Sequence, residues 1–147
     1  MAEVGTRVGI TVWLTQLAEA QVLDRKIDDA LITIEEALAA NPEEVVFRPY
    51  PLTYRGELRL KLGQTTQAEA DFREAIALAR KTRAKTYELR AATSLARLLR
   101  DTNRRDEARA MLAEIYNWFT EGFDTADLKD AKALLAELND AARTSNG

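Results

Sequence analysis

Three segments of this 147-residue chain share one shape: Ala30-x3-Ile34-x2-Ala37, Ala68-x3-Phe72-x2-Ala75 and Ala108-x3-Leu112-x2-Ile115. Their leading alanines lie 38 and 40 residues apart. At matched offsets upstream stand Leu17 and Ala18, Arg55 and Gly56, and Leu95 and Ala96. Spacings of three and four residues place each set on one face of a helix. A small residue at the crossing lets two helices approach closely, and the larger residue a turn later fills the gap that the approach leaves. The pattern therefore predicts helix pairs stacked in a row.

The remaining punctuation agrees with helix pairs. Ile10, Trp13, Leu14, Leu17 and Ala18 mark a first helix over about residues 10–23, which breaks at Asp24 to Lys26. Gly63 is a natural helix stop, and Thr66 with Glu69 predicts a capping box for the next helix. Asp28, Thr66 and Asp106 each stand two residues before a signature alanine and are the expected N-caps. Asn103 breaks the helix carrying Ala92, Leu95, Ala96 and Leu99. The helix of Ala108, Leu112, Ile115 and Phe119 is expected to end at Gly122. Thr125 caps a last helix with Asp127 in its first turn, and residues 143–147 read as a polar, frayed tail. Val45 to Phe47 is short and lies between Pro42 and Pro49, so it reads as loop, and Pro49 and Pro51 suit the start of a helix. This gives seven helices and no strand.

Composition limits the chemistry. The chain has no cysteine and no histidine. There is thus no disulfide framework, no thiol nucleophile and none of the commonest general bases or metal ligands. The paired carboxylates Asp28-Asp29, Glu35-Glu36 and Glu43-Glu44 are sequence neighbours and diverge on a helix. The stretch from Asp101 to Asp106 lacks the central glycine and terminal glutamate of a calcium loop. Ser94 and Ser145 have no histidine to activate them. No catalytic residue, metal or cofactor is expected. No apolar run approaches the ~20 residues that span a bilayer, and no signal pattern opens the chain, so a cytoplasmic protein is expected.

Net charge is −3, but it is unevenly placed: −5 over residues 1–79, +6 over 80–109 and −4 over 110–147. A basic segment between acidic ones could face an anionic partner. Local pairing with Glu88, Asp101, Asp106 and Glu107 competes with that reading, and nucleic acid is not the expected partner.

The helix-pair signature resembles the tetratricopeptide repeat, a helix–turn–helix unit of about 34 residues. Pro42 falls where the motif's terminal proline is expected, and Leu14, Leu52 and Ala92 replace its early aromatic. The resemblance implies an all-α superhelix of three repeats, about 11–44, 49–82 and 89–122, with a capping helix over about 125–142. A closed all-α bundle is the alternative. Residues 55–80 (RGELRLKLGQTTQAEADFREAIALAR), 88–101 (ELRAATSLARLLRD) and 116–138 (YNWFTEGFDTADLKDAKALLAEL) are further similar to the C-terminal tetratricopeptide region of large bacterial signalling proteins. In those proteins the repeats follow an ATPase domain and often a cyclase or winged-helix domain. That resemblance implies a fragment acting as a non-catalytic interaction or regulatory module. Val8, Ile10, Val12 and Trp13 would then partly face a missing upstream repeat.

In such stacks the first helices line a concave groove. The expected groove residues are Thr15 and Glu19, then Thr53 and Glu57, then Arg90, Thr93, Arg97 and Arg100, with Glu57 able to pair with Arg90 or Arg97. The occupant is a protein, a peptide or a neighbouring domain of the parent chain. A homodimer through the N-terminal helix, with no external ligand, is the rival. The chaperone-tail type of repeat uses Lys and Asn at these places, so that activity is not expected here. Tyr116, Trp118, Phe119 and Phe123 are expected to seal the core under the last helix.

Overall fold

A computed structural model describes the backbone of residues 2–40, 45–119 and 125–146 and the side chains of 9–40, 45–119 and 125–140. Pro42, Gly122 and Phe123 lie outside the described residues, as does the side chain of Val8. Among the described residues there are seven helices: α1 (Ala2–Leu23), α2 (Ile27–Ala40), α3 (Pro49–Lys61), α4 (Thr65–Lys81), α5 (Lys85–Asp101), α6 (Arg105–Tyr116) and α7 (Ala126–Asn146). No strand occurs among the described residues, and Val45 to Phe47 is irregular, as expected. The pairs α1·α2, α3·α4 and α5·α6 form hairpins, and the first helices also touch one another as α1·α3, α3·α5 and α5·α7. No matching approach joins α2 to α4 or α4 to α6. Close first helices and separated second helices bend the row, with the first helices on the inside. The closed bundle is thereby ruled out, and α7 stands where the first helix of a further repeat would.

The signature residues form the seam. Ala18, Ala30, Ala68, Ala96 and Ala108 are fully buried, as are Ile34, Phe72 and Leu112. Gly56 is the tightest place. A methyl group built on it would lie 2.5 Å from Cε1 of Phe72, well inside van der Waals contact.

The turns are where expectation and structure part. Four connections repeat one motif. Arg25, Gly63, Arg83 and Asn103 take φ of 60°, 77°, 58° and 64°. After each, an amide reaches back five residues: Lys26 N to Gln21 O at 2.8 Å, Gln64 N to Arg59 O at 2.8 Å, Ala84 N to Ala79 O at 2.8 Å and Arg104 N to Leu99 O at 2.7 Å. This left-handed closure satisfies the orphan carbonyls of one helix and starts the next at once. Gly63 adopts it without a Cβ penalty, and Asn103 breaks its helix as expected.

The N-cap positions of α4 and α6 are therefore Gln64 and Arg104, with no side-chain cap bond. Thr66 and Asp106 lie inside the first turn, as does Asp28, so none of the three caps a helix. The Thr66–Glu69 capping box does not form, because Glu69 is drawn outward to Arg73 and Arg104 at 2.8 and 2.9 Å. Thr125 does cap α7, its Oγ1 accepting from the Leu128 amide at 3.4 Å.

Two helix ends also differ. α6 stops at Tyr116, short of Phe119 and Gly122, so Trp118 swings out to 60% exposure instead of sealing the core. There it meets the edge of Phe119 and lies under Lys85 Nζ, 4.3 Å from the ring centroid. Tyr116 and Phe119 do pack on the core. α7 runs on to Asn146, through most of the expected tail, since no glycine or proline interrupts it before Gly147.

Replacing Gly56 with alanine is expected to destabilise the fold by about 1–3 kcal/mol, because the Phe72 ring must move within a filled core. Urea unfolding checks this. Phe72→Leu in the Gly56→Ala background should cost less than its cost in the wild type, the signature of a direct clash.

Candidate functional site

The first helices place their inner faces around a groove of about 240 Å³ on the concave side. α1 contributes Glu19, and α3 contributes Tyr50, Thr53, Tyr54 and Glu57. α5 adds Tyr87, Arg90, Thr93, Ser94 and Arg97, and α7 closes the far end with Asp127 and Asp130. The positions repeat at helical spacing: 50, 53, 54 and 57 on one helix, 87, 90, 94 and 97 on the next. Residues 37 apart meet across neighbouring first helices. Tyr50 stacks on Tyr87 with centroids 6.3 Å apart and planes 16° apart, and Ser94 Oγ donates to Glu57 Oε1 at 2.9 Å. Arg90 Nε donates to Asp127 Oδ2 at 2.9 Å.

Six of the eight expected groove residues are brought together: Glu19, Thr53, Glu57, Arg90, Thr93 and Arg97. Arg100 is not among the lining residues and pairs with Asp101 and Glu137. Thr15 is fully buried and its hydroxyl donates to Thr11 O at 2.8 Å, so it faces the core and not the groove. Thr93 is also largely buried, its hydroxyl spent on Leu89 O at 2.8 Å. Glu57 forms its hydrogen bond with Ser94 rather than an ion pair with Arg90 or Arg97, although the charge of Arg97 acts on it through space. Arg90 is instead held by Asp127, and Arg97 has no ion pair among the described residues.

The residues not anticipated are the tyrosines. Tyr50 donates its hydroxyl to Glu19 Oε1 at 2.5 Å. Burial, that hydrogen bond and the Glu19 charge push the Tyr50 phenol well above its ordinary range. Burial and the charges of Glu19 and Glu57 push Tyr54 up to about 12. The i, i+4 pair Tyr50 and Tyr54 on the face of Thr53 and Glu57 was the available signal.

The basic segment 80–109 is mostly paired within the fold. Glu88 is buried against Arg80 and Lys85 at 2.7 and 3.2 Å. Asp101, Asp106 and Glu107 hold Arg100, Arg109 and Arg104. A closed ring of Glu69, Arg73, Glu107 and Arg104 bridges α4 to the start of α6, with contacts of 2.8–3.0 Å. Hydrogen bonds from Arg73 and Arg104 hold the Glu107 carboxyl below its usual range. No cluster of metal-ligating side chains and no helix long and apolar enough to cross a membrane is found among the described residues.

Residues 50–120 match the tetratricopeptide repeat family. Among solved structures, the chain is similar to the first TPR of Spaghetti (RPAP3) bound to the HSP90 peptide SRMEEVD. That match has a TM-score of 0.71 and 18% identity, and covers 92% of this chain and 97% of that one. The kinesin light chain TPR-like repeats of Podosopora anserina match with TM-scores of 0.71 and 0.68 at 17% and 16% identity, covering 91% of this chain and 67% of those. No curated protein matches the sequence significantly. The architecture is thus a tetratricopeptide superhelix.

Burial pushes the Glu57 carboxyl above its ordinary range, against the opposing effects of Ser94 and Arg97. A raised carboxyl favours the folded state when protonated, and that contribution is lost as pH rises through the folded-state pKa. Glu57→Gln keeps an acceptor for Ser94 and removes the charge. It is expected to unfold at higher urea than wild type at pH 7, with the difference shrinking towards pH 4, as fluorescence-monitored titrations at both pH values would show.

Proposed function

We propose that this tetratricopeptide superhelix is a non-catalytic interaction module that holds an extended segment of a partner protein in its concave groove. The observation that carries the reading is the convergence of Glu19, Tyr54, Glu57, Tyr87, Arg97 and Asp130 from four helices on one open cavity. Rigid helices preset these side chains, which lowers the ordering cost of binding. A volume of about 240 Å³ suits a peptide side chain with its flanking backbone rather than a folded domain. The peptide bound by the RPAP3 repeat, SRMEEVD, supports the mode of binding. Its acidic character does not suit this groove, which has no Lys or Asn in its lining. We place the module, on the sequence similarity over residues 55–138, in the C-terminal region of a bacterial signalling or transcription-regulating protein, where a neighbouring domain is an equivalent occupant.

The test is an affinity capture from the source lysate with wild type and with Tyr54→Ala/Tyr87→Ala, both checked for folding by circular dichroism. Captured partners are expected to fall about tenfold or more, because truncation of central aromatic contacts removes a dominant part of the binding energy. Unchanged capture overturns the groove assignment.

A second reading, dimerisation, has its own observation. Trp13 is 60% exposed and Leu17 and Ala20 are exposed, whereas their register equivalents Pro51 and Leu58 on α3, and Ala91, Leu95 and Leu98 on α5, are buried, and Arg55, the α3 equivalent of Leu17, is half-buried. The preceding hairpin covers those positions in the later repeats. If a second copy covers them in α1, light scattering will show a concentration-dependent dimer that Trp13→Glu abolishes. A monomer at all concentrations removes this reading.

A further inference from the structure

We infer that the groove selects a cationic segment, seating a lysine or arginine side chain of the partner between Glu19 and Glu57 against the wall formed by Tyr50, Tyr54 and Tyr87. The inference rests on the groove reading above and adds the chemistry of the occupant.

The two carboxylates come from different helices, and each is already oriented. Tyr50 Oη donates to Oε1 of Glu19, and Ser94 Oγ donates to Oε1 of Glu57. The second oxygen of each has no protein donor among the described residues. The lining as a whole holds four carboxylates, on Glu19, Glu57, Asp127 and Asp130, against the guanidiniums of Arg90 and Arg97. Arg90 is committed to Asp127. Arg97 and Lys61 act on Glu57 through space, and Glu19 repels it. The cavity is therefore short of positive charge where its acceptors are uncommitted.

A cation entering there donates a charge-assisted hydrogen bond to each carboxylate and relieves their mutual repulsion. Tyr54 and the stacked pair Tyr50 and Tyr87 line the same cavity, so the charge would enter beside an aromatic wall. An acidic side chain in that place would meet two carboxylates and no free donor but Arg97, so the groove discriminates by repulsion as well as attraction.

The experiment is selection of a random dodecapeptide display library on immobilised wild type and on Glu19→Gln/Glu57→Gln. The variant keeps both hydrogen-bond acceptors, and circular dichroism confirms its fold. Wild type is expected to enrich peptides with Lys or Arg at one fixed position, and the variant is expected to lose that bias. A synthetic peptide of the enriched sequence should bind about tenfold more weakly when that residue is replaced by alanine, and about tenfold more weakly to the variant, by fluorescence anisotropy. Enriched peptides that bind in the groove without charge bias, or with an acidic bias, overturn the cationic inference and leave the groove reading standing. No enrichment, or peptides that bind Tyr54→Ala/Tyr87→Ala as well as wild type, overturns both.

Discussion

The contact on which the rest depends is the crossing of α3 over α4 at Gly56. With hydrogen in place of a methyl group there, the Phe72 ring lies directly on the backbone of α3. Phe72 is fully buried, and Ala68 and Ala75, one turn to either side, are buried with it. The close approach fixes the height at which α3 stands above its partner. On the opposite face of that helix, Tyr54 and Glu57 flank Gly56 and open into the groove. A backbone displacement at the crossing would therefore shift the groove wall too. The flanking repeats use alanine at the equivalent positions, Ala18 and Ala96, with the smaller aliphatic side chains Ile34 and Leu112 in place of the ring. The size of the crossing residue and that of the gap-filling residue vary in opposite directions, as close packing demands.

The same structural position is also solved in three chemistries. In the first hairpin Thr33 Oγ1 donates to Gln21 Oε1 at 2.7 Å. In the second, the buried Asp71 receives Arg59 at 2.9 Å and Arg55 at 2.8 Å, and Arg55 continues to Glu35 of α2 at 2.8 Å. In the third, the apolar Leu99 and Met111 stand at those places, and both belong to the core. Ion pairs of this kind contribute little net stability over apolar packing, because two charges lose their water. What the second hairpin gains is register. A buried carboxylate whose donors stand on α3 penalises any slip of α4 along it. Loss of both arginines would leave Asp71 an uncompensated buried charge, costing about 3–5 kcal/mol. The middle repeat, which carries most of the groove's tyrosines, is thus the most firmly indexed.

Helix pairing and its seam were legible because they are local and periodic: Ala30, Ala68 and Ala108 recur with a larger residue a turn on, and nothing else packs well around that pattern. The turns were not. Asp28, Thr66 and Asp106 have the side chains of caps, but the backbone closes each turn itself through a bond spanning five residues, and the start of the next helix is already fixed. Arg25 lies in the break read at Asp24 to Lys26, but Arg83 holds positive φ with no sequence mark; at both, the motif's amide bonds outweigh a cost of about 1–2 kcal/mol. At the groove, charge on one face of α5 could be read, but its partners could not. Asp127 reaches Arg90 across 37 residues, a distance set by the stacking period and not by any local spacing. Thr15 carries the same helical phase as Thr53 and Thr93, and only the packing of α1 shows it to be internal. Tyr50 was obscured by the irregular segment before Pro49, although its phase matches that of Tyr54 and Glu57.

The distribution of charge completes the argument from fold to function. The excess of arginine in residues 80–109 reads as a surface for an anion only while its partners are unknown. In the fold, Arg80, Arg100 and Arg104 are spent on joining elements to one another, and Arg109 pairs with Asp106 within α6. The ring of Glu69, Arg73, Glu107 and Arg104 spans the gap where the second helices of neighbouring repeats draw apart, an exposed network whose several charges act together where single surface pairs contribute little. Basic charge is thereby consumed on the convex side and at the junctions, and the concave side is left with a surplus of carboxylates. α7 reinforces the asymmetry, because it occupies the place of a fourth first helix and adds Asp127 and Asp130 to the groove. The arginines that make the middle of the sequence basic thus stabilise the spiral, and the groove they leave behind is acidic.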